Sequence, residues 1–338
     1  MRRATRVAAV LAAVAAIAGA GLAASGCGGD RDALTVYSGR TEDLVGPLLE
    51  RFSDETDIAI DVRYGDTAEL ALLLGEEGDR TPADVYWGQS PGATAYLADR
   101  DLLAPLPRDI LDLVDPDFED PKGLWTGVSG RQRVLVYNRD QVAEPELPSS
   151  VFDLTDERYR GRVGLAPSNG SFQDFVTAMR DIEGEEAAAA WLRGMAGNDA
   201  RTYANNNAIV EAAGRGEIDM GLVNHYYNYR FLAEDPGLPT RNHEFAAGDI
   251  GALVIPSSAS VLAASDQPDE AERFVAFLLT EEAQRYFADE TYEYPLARDV
   301  PPPRGVPPLS SLRPPDEDPG RLGDIAGTAR LIADSGLE

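Results

Sequence analysis

Strand-like and helix-like segments alternate along the chain from residue 34 onwards. Residues 34–37 (Leu-Thr-Val-Tyr) and the alternating apolar residues of 58–62 predict two strands, and apolar residues recur at helical spacing in 44–52 between them. A second helical repeat in 70–74 leads to a third strand at 81–87. This β-α-β-α-β order predicts a doubly wound α/β sheet, in which ligands bind beyond the carboxyl ends of the strands.

A second α/β pattern follows further along the chain. Residues 162–165 predict a strand that leads into the polar segment 168–171 and a helix, and residues 219–223 predict a strand that leads into 224–227. We therefore expect two lobes, each a doubly wound mixed sheet flanked by helices, with the ligand in the cleft between them.

The lobe boundaries follow from where these patterns start and stop. Residues 250–263 are apolar and β-rich, which indicates that the chain returns to the first lobe, and residues 301–320 hold eight prolines, which indicates an extended strap before one closing helix. We predict a first lobe of residues 34–130 with a return segment of about 255–300, a second lobe of 134–250 with a C-terminal segment of about 308–338, and hinge strands at about 130–136 and 248–254.

The N-terminal segment has the pattern of an export signal. A basic start is followed by an apolar run over residues 7–24 and by Ala24-Ser25-Gly26-Cys27. This pattern predicts a signal peptide with a lipobox over residues 1–26, acylated at Cys27 after cleavage. We expect an exported protein that is lipid-anchored on the outer face of the cytoplasmic membrane; an uncleaved membrane anchor is the alternative.

Composition excludes several classes of function and of site. Cys27 is the only cysteine, so an intramolecular disulfide cannot form and any metal site must use oxygen or imidazole ligands. The formal net charge of −28 repels nucleic acid, although bulk charge does not identify a ligand. With only His225 and His243 as histidines, and no Gly-x-Ser-x-Gly elbow or P-loop, we expect no enzyme and no catalytic cofactor.

Two loops at the ends of first-lobe strands are candidate ligand contacts. Ser38-Gly39-Arg40 follows the first strand and Gly88-Gln89-Ser90 follows the third, so both loops are expected on one rim of the sheet. In the second lobe, the strand 219–223 leads directly into Asn224-His225-Tyr226-Tyr227.

Several segments, taken in order and spacing, resemble a known family, the periplasmic ferric-ion-binding proteins of ABC importers. The resemblance runs from Leu34 to the C-terminus and implies a two-lobe, transferrin-like periplasmic-binding-protein fold of type II. It also implies a monomer that captures Fe(III) and delivers it to an ABC permease and its ATPase. The segments are Leu34-Thr35-Val36-Tyr37-Ser38-Gly39, Thr81-Pro82-Ala83-Asp84-Val85, Leu102-Leu103-Ala104-Pro105-Leu106, Ser129-Gly130-Arg131-Gln132-Arg133-Val134, Asn224-His225-Tyr226-Tyr227-Asn228-Tyr229 and Glu293-Tyr294-Pro295-Leu296.

The resemblance implies two phenolate ligands for the iron, at Tyr226 and Tyr227. Fe(III) is a small, highly charged ion that favours anionic oxygen, and its charge removes a phenol proton well below the ordinary pKa of about 10. The family's histidine ligand falls at Thr41 and its first-lobe acidic ligand at Gln89, which is a weak ligand. His225 beside the pair is an alternative ligand, although alternation points it away from Tyr226. We expect Tyr229 to pack behind the pair, because alternation turns Tyr227 and Tyr229 the same way only if the segment stays extended.

The resemblance also implies a synergistic anion, phosphate or carbonate, beside the iron. Gly170 and its neighbours at a helix start suit an anion because free N–H groups point at it; an ordinary helix N-cap is the alternative. Arg131 and Arg133 either neutralise bound charge or form structural salt bridges, and Ser38, Gly39, Arg40 and Thr41 are expected to line the cleft. The residues that match the anion shell are Ser90, Asn169, Gly170, Ser171, Asn206 and Asn224.

A binding protein of the same fold for an organic solute is the competing interpretation. The replacement of two family ligands by Thr41 and Gln89 favours a phosphonate, a polyamine or a sugar phosphate. Tyr86 and Trp87 would then form an apolar wall of the pocket.

Overall fold

The computed structural model describes residues 33–316 and 322–337. The predicted signal peptide, Cys27 and residues 317–321 of the proline-rich segment lie outside this range. Within the described residues, no helix combines the length and the apolar character that a membrane span requires.

The described part of the chain holds ten strands and eleven α-helices. The strands are β1 (Leu34–Ser38), β2 (Ile60–Tyr64), β3 (Val85–Gly88), β4 (Thr126–Asn138), β5 (Val163–Leu165), β6 (Arg201–Thr202), β7 (Met220–Asn224), β8 (Thr240–His243), β9 (Val254–Val261) and β10 (Tyr294–Pro295). The helices are α1 (Glu42–Thr56), α2 (Thr67–Glu77), α3 (Pro91–Ala98), α4 (Arg108–Leu111), α5 (Gly170–Ile182), α6 (Glu185–Gly197), α7 (Asn206–Gly214), α8 (His225–Glu234), α9 (Pro268–Leu278), α10 (Glu281–Asp289) and α11 (Ile325–Ser335).

The first lobe is built on a parallel sheet with one antiparallel neighbour. The strand order is β2-β1-β3-β9, with β9 running antiparallel to β3. Behind the sheet, Phe52, Trp87 and Phe274 are fully buried, and the ring centroids of Phe52 and Phe274 lie 5.2 Å apart edge to face. Burying a side chain of this size contributes roughly 1.5–3 kcal/mol, so this core holds the carboxyl ends of β1 and β3 in place.

Strand β4 runs through both lobes. All of its residues are buried; its first part pairs with β9 and β10, and its second part pairs with β7 and β8. Arg131 lies opposite Ile255 of β9, whereas Arg133 lies opposite Asn224 of β7. The two arginines therefore lie where the chain passes from one sheet to the other.

The second lobe repeats the α/β arrangement around its own core. Its sheet continues in the order β4-β7-β5-β6, in which β5 is parallel to both neighbours. Phe175 packs edge to face on Trp191 at 5.5 Å, and Ile332 of the C-terminal helix α11 belongs to the same core. The alternating pattern seen in the sequence thus produces a large apolar core in each lobe, and the predicted two-lobe α/β fold is confirmed.

Candidate metal centre

The tyrosine pair lies in the first turn of a helix. Asn224 ends β7 with an extended backbone and serves as the N-cap residue, and α8 begins at His225. The ring centroids of Tyr226 and Tyr227 lie 4.1 Å apart with an interplanar angle of 28°, and Tyr226 is only 1% exposed. The strand ends before the tyrosines, so this segment does not stay extended, and the two phenols lie side by side on the helix.

Both ring nitrogens and the ring face of His225 contact neighbouring residues. Its Nδ1 accepts a hydrogen bond from the Gln132 N–H at 3.1 Å, and its Nε2 donates to the Tyr292 carbonyl at 2.9 Å. The ring stacks on Tyr294 at 4.6 Å, and burial lowers the pKa of His225 to about 3. Both ring nitrogens of the neutral imidazole are therefore occupied, which leaves no lone pair for a metal ion.

Tyr229 lies on the same helix but outside the pair. Its ring is nearly parallel to that of Tyr292, at 6.2 Å, and it meets the His225 ring edge to face at the same distance. Tyr229 therefore packs on Tyr292 and His225 and is not part of the stacked tyrosine pair.

A buried ion-pair network lies beside the phenols, and sequence reasoning missed its carboxylate. Arg40 Nη2 donates to Glu293 Oε2 at 2.5 Å, and Arg131 Nε lies 3.9 Å from Glu293 Oε1. All three side chains have no exposed surface, and both arginines interact electrostatically with Tyr226 and Tyr227. The only sequence signal for Glu293 was its place in the Glu-Tyr-Pro-Leu segment.

Several polar atoms of this network are buried without a hydrogen-bond partner among the described residues. They are Arg40 Nε and Nη1, Arg131 Nη1 and Glu293 Oε1. A buried guanidinium N–H without an acceptor is costly, so the network is suited to further anionic or polar atoms in the cleft.

Thr41 and Gln89, which stand where the family has its first-lobe ligands, differ in their exposure and in their hydrogen bonds. Thr41 is the exposed N-cap residue of α1 and makes no side-chain capping bond. Gln89 donates from Nε2 to the Gly39 carbonyl at 2.8 Å, and its Oε1 is buried without a partner. Ser38 accepts from the Arg40 N–H at 3.1 Å and so shapes this loop. The Gln89 carbonyl oxygen is thus a first-lobe acceptor without a partner among the described residues, whereas Thr41 is exposed at the start of α1.

Two of the predicted anion-shell residues of the second lobe, Asn169 and Asn224, form hydrogen bonds with a third, Ser171. Asn169 is the N-cap residue of α5, and its Oδ1 accepts from Ser171 N at 3.2 Å and from Ser171 Oγ at 2.6 Å. Asn224 Nδ2 donates to Ser171 Oγ at 3.2 Å. Asn206, at the start of α7, is 1% exposed and its Nδ2 has no partner. Asn169 therefore serves as an ordinary helix N-cap, which was the alternative to an anion ligand. Asn206 Nδ2 is a donor without a partner among the described residues.

Arg133 is bound to these residues rather than to a carboxylate. Its Nη1 donates to Asn224 Oδ1 and its Nη2 to the Ser171 carbonyl, both at 3.3 Å, and its Nε is unpartnered. Burial, with Arg131 nearby, lowers the pKa of Arg133 to about 9. Arg133 therefore belongs to the anion-shell group, whereas Arg131 belongs to the Glu293 network.

Asp174 is the second residue of the site that the sequence did not reveal. It lies on α5 and is 3% exposed, and its Oδ2 has no hydrogen-bond partner among the described residues. Burial raises the pKa of Asp174 to about 7, although the Ser90 hydroxyl and the arginines Arg131 and Arg133 oppose this shift. Ser90 belongs to the first lobe, so this carboxyl faces the opposite side of the cleft.

The lobes are in close contact across the cleft. A Cβ built on Gly92 of α3 would lie 2.7 Å from Asp174 Oδ1 and 2.7 Å from the Leu322 carbonyl oxygen. A Cβ built on Gly170 would lie 3.6 Å from Thr67 Cβ. Glycine at these positions allows the first-lobe helices to approach the start of α5, so the structure is a closed form.

Tyr86 and Trp87 do not line the cleft. Tyr86 donates from its hydroxyl to the Thr67 carbonyl at 2.8 Å, and Trp87 packs between Phe274 and Phe287 in the first-lobe core. Both are fully buried. The expected apolar wall of an organic-solute pocket was wrong, because the β3 side chains that precede Gly88 all lie inside the lobe.

Comparisons with known proteins agree with this architecture. The family profile described as bacterial extracellular solute-binding protein matches residues 80–318. The major ferric iron-binding protein of Neisseria meningitidis serogroup B is 33% identical over 309 residues, which cover 90% of this chain and 93% of that protein.

Solved structures extend the similarity. Iron-bound HitA from Pseudomonas aeruginosa has 37% identity and a TM-score of 0.86, over 90% of this chain and 99% of that one. The Trichodesmium protein IdiA (FutA), solved with iron and citrate ligands, has 26% identity and a TM-score of 0.76, over 90% of this chain and 100% of that one. The chain therefore belongs to the family of bacterial extracellular solute-binding proteins.

Proposed function

We propose that this protein captures ferric iron in the cleft between its lobes, with Tyr226 and Tyr227 as phenolate ligands, and delivers it to an ABC permease and its ATPase. The stacked pair in the closed cleft, 4.1 Å between ring centroids, is the observation that carries this proposal. The relatives that are named for ferric iron binding, or that were solved with iron, support it.

The electrostatics around the pair suit capture of a highly charged cation. Burial raises the pKa of Tyr226 well above its ordinary value, so the phenol holds its proton until a stronger positive charge arrives. Arg40 and Arg131 oppose this shift and favour the ionised form. Fe(III) replaces the proton, and the two phenolates then supply two negative charges in a low-dielectric site.

The rest of the coordination shell comes from both lobes and from an anion. Gln89 Oε1 is the free first-lobe oxygen and acts as a weak ligand. Phosphate or carbonate completes the shell, held by Ser90, Asn169, Gly170, Ser171, Asn206 and Asn224. Asn206 Nδ2 and Arg133 Nε are the unpartnered donors that favour an anion in this position.

Closure of the two lobes links iron binding to iron delivery. Because Gln89 belongs to the first lobe and the tyrosines to the second, the full set of contacts exists only when the lobes meet, and ligand binding shifts the open–closed population. We assign the lobes and hinges as predicted from the sequence, with the hinges at about 130–136 and 248–254. The passage of β4 from one sheet to the other at Gln132 and Arg133 supports the first hinge.

The same proposal includes export and attachment to the membrane. Members of this family are extracellular, and the lipobox at residues 24–27 favours acylation of Cys27, which anchors a monomer on the outer face of the cytoplasmic membrane. Cys27→Ala is expected to move the protein from the membrane fraction to the soluble fraction. An unchanged membrane fraction would favour an uncleaved anchor instead.

The central test is the visible phenolate-to-iron charge-transfer band. Chelator-stripped protein is titrated with ferric citrate, and wild type is compared with the double variant Tyr226→Phe/Tyr227→Phe. Tyr229→Phe, on the same helix but packed on Tyr292, is the matched control and should keep the band. A colourless wild type that binds an organic solute instead would refute iron capture and restore the competing interpretation.

A further inference from the structure

Asp174 places a carboxyl group among the residues proposed to hold the anion. It follows Ser171 by one helical turn of α5, so both side chains share a face of the helix. The carboxyl is 3% exposed, its Oδ2 has no partner in the part of the chain that the structure describes, and its Oδ1 would lie 2.7 Å from a Cβ on Gly92 across the cleft. Neither the sequence pattern nor the family resemblance assigned this residue a role.

Groups from four elements act on this carboxyl. Arg131 and Arg133 of β4 attract its negative charge, the Ser90 hydroxyl at the start of α3 donates toward it, and Asp66 at the start of α2 repels it. Tyr86 of β3 also interacts electrostatically with the Asp174 carboxylate, and burial together with this interaction raises the pKa of Tyr86. With burial added, the pKa of Asp174 is raised to about 7, so the group holds or releases a proton near neutrality.

Arg133 links Asp174 to the proposed anion site. Its Nη2 donates to the Ser171 carbonyl, one helical turn from Asp174, its Nε is buried without an acceptor among the described residues, and it interacts electrostatically with the Asp174 carboxylate. We therefore expect an oxyanion held by Arg133 to come within reach of Asp174 Oδ2. Two ionised oxygens in contact inside a protein repel strongly, and one proton between them turns the repulsion into a hydrogen bond.

We propose that Asp174 makes the anion site select an oxyanion that carries a proton, such as hydrogenphosphate or hydrogencarbonate, over a fully ionised one such as sulfate. This inference rests on the proposed function, because the anion is the one that binds with the iron. Asp174 acts as a specificity-determining residue: its carboxylate accepts the O–H of the anion, and sulfate has no proton to give.

The protonation states of Asp174 and of the anion predict how the discrimination between hydrogenphosphate and sulfate changes with pH. Above about pH 7, Asp174 is ionised and accepts the proton of hydrogenphosphate, while it repels sulfate. Below that pH, Asp174 carries its own proton and donates it to either anion. Discrimination between hydrogenphosphate and sulfate therefore widens as the pH rises and narrows as it falls.

The test measures iron affinity, from the charge-transfer band, with phosphate, carbonate or sulfate as the sole added anion at about pH 8 and about pH 6. In wild type we expect sulfate to support binding about tenfold less well than phosphate at the higher pH, since one charge-assisted hydrogen bond is replaced by repulsion. Asp174→Asn, whose amide donates to any oxyanion, should remove this difference. Asp54→Asn, at an exposed position of α1, is the matched carboxyl-to-amide control.

A second measurement separates the proposal of iron capture from the proposal that Asp174 selects the anion. The shift of Tm caused by each anion without iron reports anion binding alone, and wild type should be stabilised more by phosphate than by sulfate at the higher pH. Equal stabilisation and equal iron affinity with both anions would overturn the role of Asp174. Anion selection without any iron band would refute iron capture and leave the role of Asp174 standing as an anion selector.

Discussion

Arg40 Nη2 donates a 2.5 Å hydrogen bond to Glu293 Oε2, and neither side chain has any exposed surface. The two residues lie 253 positions apart in the sequence, and Thr291 Oγ1 adds a second hydrogen bond to the same carboxylate oxygen at 3.2 Å. The pair ties the loop after β1 to the segment that enters β10, directly beside the tyrosine pair.

Breaking this ion pair from one side should be strongly destabilising. Arg40→Met or Glu293→Gln leaves a buried charge without its partner, and we expect each to lower the free energy of unfolding by about 3–5 kcal/mol. The double variant removes both charges and should cost clearly less than the sum of the single variants. Urea unfolding of all four proteins checks this, and additive losses would show that the two residues act independently.

Iron capture should release protons. Burial raises the pKa of Tyr226, so the phenol is protonated in the iron-free protein, and it must lose that proton to become a phenolate ligand. Ligation of iron by Tyr226 therefore releases one proton, and iron affinity rises as the pH increases. Titration in a weak buffer with a pH dye measures the release. Tyr226→Phe should release one proton fewer than wild type, and an unchanged release would contradict phenolate ligation at this residue.

His225 should make stability depend on pH in the acidic range. Its folded-state pKa is lowered from 6.5 to about 3, so between these values the unfolded state binds the extra proton and stability falls as the pH falls. The expected loss is about 1.4 kcal/mol per pH unit across this window.

The raised pKa of Asp174 produces the opposite slope, so wild type must be compared with a variant. His225→Gln keeps one acceptor and one donor but does not titrate. The difference in unfolding free energy between wild type and His225→Gln should follow the predicted slope, while the iron band is unchanged. A difference that does not vary with pH would show that the imidazole is not buried in its neutral form.

Adding a methyl group at Gly92 should open the cleft. A Cβ there would meet the Leu322 carbonyl oxygen, a backbone atom, at 2.7 Å, so Gly92→Ala disfavours the closed form. We expect iron affinity to fall by about tenfold or more and the radius of gyration from small-angle scattering to increase.

Gly197→Ala provides the matched control for this prediction. At Gly197, the exposed last residue of α6, a Cβ would meet no neighbouring atom of the described residues within 4 Å, and alanine is favoured over glycine in a helix. This variant should bind iron like wild type and unfold at equal or slightly higher urea concentration. Equal iron affinity in Gly92→Ala and Gly197→Ala would show that the contact at Leu322 does not govern closure.

Much of the fold was predictable because local hydrophobic periodicity reports local structure. Residues 34–37 formed the strand expected of them, and the predicted strand at 219–223 matches β7 to within one residue. The second strand begins at Ile60 rather than at residue 58, a shift within the usual uncertainty of strand ends. The start of helix α8 at His225 was not predicted, because the aromatic residues after Asn224 continue the strand-like composition. Asn224 is the N-cap residue and was the only local signal for the start of a helix.

The sequence by itself determined the order of strands and helices, the adjacency of Tyr226 and Tyr227, and the lack of cysteine ligands. Tertiary structure alone decided that Glu293 pairs with Arg40, that both nitrogens of His225 are occupied, and that Asp174 faces Ser90. The physical reason is distance along the chain: periodicity reflects neighbours within a few residues, whereas charge pairing, burial and pKa depend on groups that only the closed fold brings together.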